Sequence, residues 1–132
     1  MNMTRWRLPL LLALVFQGSS AMAHEVALTA HIAADGRILS QSPQWIGQVQ
    51  VQPQANYFTQ YKLSLDKGQL RQAPGFCSVS PLDASSYDRQ LHGAAKVIGK
   101  PLVDKLTVQT QLVDVQGPSG DNSLEFQVLC VR

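Results

Sequence analysis

The chain has 132 residues, 45% of them hydrophobic, with 11 Lys+Arg against 9 Asp+Glu and two cysteines. That length suits one domain around one core. So small a charge excess gives a nucleic acid or an anionic membrane no electrostatic motive to bind.

Residues 1–23 read as a secretory signal peptide. Arg5 and Arg7 form a positive start, Leu8 to Phe16 an apolar run, and Ala21 and Ala23 the small residues before a cut. The apolar run is shorter than the roughly 20 residues that a membrane-spanning helix needs, so no span is expected after cleavage. Cleavage leaves residues 24–132, about 110 residues, as a single predicted domain. Arg5 and Arg7 leave with the signal, which brings the basic residues level with the 9 acidic ones. Met1, Met3 and Met22 leave as well, and with them the thioethers common in extracytoplasmic copper sites.

After the cut the dominant period is two, the signature of half-buried strands. Val26, Leu28, Ala30 and Ile32 share one face, and residues 34–37 (ADGR) are a turn that returns as a short strand. Val49 and Val51 alternate with Gln48, Gln50 and Gln52 until Pro53, which ends that strand or places it at an edge. Residues 56–66 form the next strand, and Cys77 and Val79 share a face further on. Residues 83–101 break the period: Tyr87, Leu91, Ala94, Ala95 and Ile98 make a helical stripe, with Ser85 as N-cap and Gly99 and Pro101 as the stop. Alternation resumes at Leu106, Val108, Thr110 and Leu112, and the phase slips at Val113–Val115, as at a bulge or sheet edge. Leu124, Phe126, Val128 and Cys130 point inward on the last strand. The expected fold is all-β, an immunoglobulin-like two-sheet sandwich with one short helix between the sheets.

In an exported chain Cys77 and Cys130 pair as one disulfide, and closing a loop of about 50 residues stabilises by roughly 4 kcal/mol in the chain-entropy model. C-x-x-C spacing, the mark of a redox pair, is absent.

Catalytic and metal motifs are sparse. A cut after Ala23 frees the amine and imidazole of His24, a pair able to chelate copper. His31 cannot complete that site on an unbroken strand. The two histidines are an odd number of residues apart and about 23 Å distant at about 3.3 Å per residue. His92 is the remaining partner. Ser85, Ser86, Asp88 and His92 contain the residue types of a hydrolase triad but lie on one short helix, with no glycines of a nucleophile elbow. No phosphate-binding glycine loop or EF-hand spacing occurs, so no catalytic residue, metal site or cofactor is assigned. Fifteen glutamines occur, several on outward strand faces, where an amide can bond to a neighbouring subunit or a glycan.

The stretch EVALTAHIAADG, residues 25–36, resembles the start of mature pilins of the alternate chaperone-usher (colonisation-factor) family. In that family the first strand inserts into the incomplete sandwich of the next subunit. The resemblance implies that Val26, Leu28, Ala30 and Ile32 are binding residues in a neighbour's groove. It also implies other subunits or a periplasmic chaperone as partners. The expectation is a non-catalytic protein of the periplasm or cell surface, a fimbrial or adhesion-type subunit. The alternative is a periplasmic ligand-binding or inhibitor module, with copper at His24 as its sharpest form.

Overall fold

The computed structural model describes residues 26–114, 117–118 and 121–132. The signal segment and His24 lie outside the described residues. In chain order the elements are β1 (Ala27–Ile32), β2 (Ile38–Ser42), β3 (Ile46–Gln54), β4 (Phe58–Leu65), β5 (Phe76–Pro81), α1 (Tyr87–His92), β6 (Gly93–Val97), β7 (Lys105–Asp114), β8 (Gly117–Pro118) and β9 (Phe126–Val131). They form two antiparallel sheets, β2-β1-β9-β5 and β3-β4-β7-β6, with β8 beside the end of β7. This is the two-sheet sandwich that the alternation predicts.

Apolar residues at every second position give each sheet one dry face. Leu28, Ile32, Phe126 and Cys130 of the first sheet meet Tyr61, Leu63, Leu106 and Val108 of the second, all essentially inaccessible to water. Each such side chain contributes about 1.5–3 kcal/mol through burial. Tyr61 joins the layers twice. Its ring packs edge-on to Phe126 with centroids 4.9 Å apart, and its hydroxyl donates to the Ala34 carbonyl at 2.7 Å. Burial pushes the Tyr61 phenol pKa up, so the hydroxyl stays a donor. The β1–β2 turn beneath it needs Gly36, which sits at φ +91 and where a Cβ would meet Val51 Cγ2 at 2.5 Å.

The crossing from the first sheet to the second is fixed by side chains. Trp45, fully buried, donates its indole N–H to the Thr29 carbonyl at 2.9 Å. Gln41 accepts from the Trp45 and Ile46 amides and donates to the Ile46 carbonyl, so one amide closes the loop from β2 to β3. Pro53 lies on β3, an edge strand, where a missing donor costs no ladder bond.

One expectation is corrected. The helix is one short turn and a half, not a stripe to Ile98. Ser86 rather than Ser85 caps it, accepting from the Arg89 amide, and Tyr87 and Leu91 stand 81% and 74% exposed. Gly93 turns the chain into β6, in an extended conformation in which a Cβ would lie 2.5 Å from the Arg89 carbonyl oxygen. Residues 94–97 then pair with β7. The register shifts fall at His31/Ile32 and Ile46/Gln48; Val113 and Asp114 run past the β4 and β6 ladders to pair with β8, a sheet edge, and Val115 lies outside the described residues. Val26, Leu28, Ala30 and Ile32 stand within the chain's own sandwich in this structure. β1 is an interior strand, paired with β2 on one side and with β9 along its whole length on the other. Leu28, Ala30 and Ile32 are buried in the chain's own core, and Val26 packs against it half-buried.

Candidate functional site

With the inner faces of both sheets committed to packing, chemistry must be sought on the outer faces and loops. The outer face of the first sheet is built by register. β1, β2, β5 and β9 bring outward side chains into two cross-strand rows. One row runs Ser42, Thr29, Leu129, Ser78, and the next runs Ser40, His31, Gln127, Ser80. Serine at positions 40 and 42 of β2 and 78 and 80 of β5 leaves little side-chain bulk at the flanks. An open groove of about 660 Å³ results, floored by these rows and bordered by Leu82. Leu129 stands 43% exposed in its middle, and Phe76, 60% exposed, continues the face at one end of β5.

The groove carries no lysine or arginine. It contains one imidazole, His31, whose Nε2 lies 2.6 Å from Glu125 Oε1 in a hydrogen bond that the carboxylate accepts. The carboxylate holds the imidazole ring in one orientation. Among the described residues the hydroxyls of Ser40, Ser42, Ser78 and Ser80 and the amide of Gln127 have no hydrogen-bond partner. They are available to a ligand. Strands lie about 4.8 Å apart, so a row spans about 14 Å from β2 to β5.

A serine opposite a histidine that is bonded to a carboxylate invites comparison with acyl-transfer sites. Ser40 is the cross-strand neighbour of His31. Yet among the described residues no serine hydroxyl bonds to the ring, and β1 and β9, which carry His31 and Gln127, are paired on both sides, so their backbone N–H groups serve the sheet ladders. What the arrangement can do is bind: neutral donors and acceptors in rows, with an apolar spot between them.

The residues singled out from the sequence are distributed differently. Cys77 and Cys130 are bonded, with Cα atoms 4.1 Å apart, and face each other on β5 and β9 within one sheet. Ser86 and Arg89 organise the helix, and Arg89 reaches Asp83 at 2.7 Å and the carbonyls of Ser123 and Asp121. Ser85 donates to Asp83, and His92 ends the helix half-buried. These contacts tie α1 to the segment that leads into β9 and assemble no triad. Among the described residues no three His, Cys, Asp or Glu side chains gather as metal ligands. No family model, curated protein or solved structure matches the chain.

The outer face of the second sheet differs in kind. Gln52, Gln60, Gln109 and Lys96 form one row across its four strands, and Gln50, Lys62 and Thr107 lie in the next. The amide-rich surface foreseen from the glutamine count is this face. The hydroxyl rows of the first sheet escaped the sequence reading, although their signal is the serine at alternate positions in residues 40–42 and 78–80. Alternation shows that such residues point outward but not which strands lie side by side.

Proposed function

We propose that the chain is an exported, non-catalytic recognition protein of the cell surface, of the adhesion type, which holds a neutral glycan on the outer face of its first sheet. The observation that carries this reading is the pair of rows Ser42–Thr29–Leu129–Ser78 and Ser40–His31–Gln127–Ser80. A sugar presents hydroxyls around its edge and C–H surface on its face. The rows offer unbonded hydroxyls and an amide for the first, and Leu129 for the second. The strand spacing is close to the length of one sugar unit in a linear glycan. A phosphorylated or strongly anionic ligand would find no lysine or arginine here. Export is supported by the character of residues 1–23 and by the Cys77–Cys130 disulfide, which persists in an oxidising compartment.

The test is a glycan array probed with the full, disulfide-bonded chain and with Gln127→Ala and Leu129→Ser. Both positions are outward, so the urea midpoint of each variant should match the parent. Neutral oligosaccharides should bind the parent, and each variant should lose about tenfold in affinity, the effect of one lost hydrogen bond or apolar contact. Absence of neutral-glycan binding, or unchanged binding in both variants, would overturn the reading.

A further inference from the structure

The second sheet's outer face is an amide ladder with charge of one sign. Lys62, Lys96 and Lys105 project from it at outward positions, and its strands place no described acidic side chain beside them. None of the three lysines has a carboxylate within ion-pair distance among the described residues. Asp66 and Asp104 lie beyond the strand ends, near Lys105 rather than near Lys62 or Lys96. A soluble sandwich guards such a face with mixed charges, and this one does not.

We propose that this face binds an acidic linear polysaccharide that carries one negative charge per disaccharide. Charge complementarity fixes the sign of the partner. Spacing fixes the charge density. Lys62 and Lys96 are two strands and one residue pair apart, about 12 Å by the strand and residue spacings of a sheet. On β7, the strand between them, stand Thr107 and Gln109, which can donate to and accept from the intervening neutral sugar. A polymer charged at every unit would leave charges over neutral amides. A nucleic acid is charged more densely still, and the described aromatics of this face, Tyr57 and Phe58, sit together at the β3–β4 hairpin rather than in a row on which successive bases could stack. The inference stands apart from the neutral-glycan reading, because the two faces lie on opposite sides of the core.

The experiment measures binding of the full, disulfide-bonded chain to hyaluronan fragments, which have one carboxylate per disaccharide. Dextran, vesicles containing phosphatidylglycerol, and poly-dT serve as the other arms. Hyaluronan should bind and weaken steeply with added salt, as counterion release at a few contacts requires. The double variant Lys62→Gln, Lys96→Gln should lose at least tenfold. Gln109→Ala should lose affinity while keeping the salt dependence, because it removes a neutral contact. Gln127→Ala, on the opposite face, should leave hyaluronan binding unchanged. Salt-insensitive binding, an unaffected double variant, equal binding to dextran, or tighter binding to vesicles or poly-dT would each overturn the proposal. Loss of hyaluronan binding in Gln127→Ala would move the ligand to the first sheet and overturn it too.

Discussion

Asp83 is a small group with several dependants. It accepts from the Ser85 hydroxyl at 2.5 Å and from Arg89 at 2.7 Å, and the side chains of Asp83 and Arg89 are only 9% and 16% exposed. It also accepts from the backbone amide of Glu125, the residue that orients His31 in the groove. Burial alone would raise its pKa, but the hydrogen bonds from Ser85 and the Arg89 guanidinium outweigh it and hold the carboxyl below its ordinary value. A pKa lowered by folding contributes stability above the unfolded value, and that stability fades as pH falls through the depressed one. Asp83→Asn leaves a largely buried guanidinium with the Ser123 and Asp121 carbonyls and the solvent-exposed Asp121 carboxylate at 3.4 Å. It should cost about 2–3 kcal/mol near neutral pH. Urea midpoints of parent and variant should therefore differ at neutral pH and converge in strong acid. A deficit of equal size at both would show that the carboxylate's charge is not what matters.

Among the elements, β5 depends most on a single bond. It is an edge strand held to β9 by its ladder and by Cys77–Cys130, whose partners are 53 residues apart. It also supplies Ser78 and Ser80 to the groove. Replacing both cysteines by serine should cost up to about 4 kcal/mol by the loop-entropy argument. Amide exchange should quicken along β5 while the β1–β9 ladder stays protected, and affinity on the first sheet should fall with it. Uniform loss of protection across both sheets would show that the bond secures the whole sandwich rather than its edge. The strands themselves were legible because one dry face per sheet forces a period of two, so Leu106–Val108–Thr110 and Phe126–Val128–Cys130 announce their own burial. The helix was misjudged because Tyr87, Leu91 and Ala95 satisfy helical spacing by coincidence. Alternation through Gly93, Ala95 and Val97 competes with it, and pairing with β7 decides the matter. The groove was hardly legible, since Ser42 and Ser78 become members of one row only when β1 and β9 are placed between them.

For the whole molecule the decisive strand is β1, because it separates a self-contained protein from one that needs a neighbour. A donor strand given to another copy leaves an open groove and an unpaired edge behind it, both costly in water. Here the groove is filled from within. Ala27 to Ile32 pair residue by residue with Val131 to Phe126, and Leu28 and Ile32 have no exposed surface. Releasing β1 would break the centre of the first sheet and also divide the groove, since Thr29 and His31 stand between the contributions of β2 and β9. The chain is therefore expected to sediment as a monomer at every concentration tested. A synthetic peptide of residues 25–32 should show no binding to the intact protein. Leu28→Ala should cost about 2–5 kcal/mol as a core cavity, and Leu28→Asp should unfold the protein without producing a soluble, peptide-rescued form. Peptide capture by the intact chain, or rescue of the Leu28→Asp variant by that peptide, would mean that β1 exchanges between copies. The resemblance of residues 25–36 to a donor strand would then describe how the protein assembles and not only how the stretch reads.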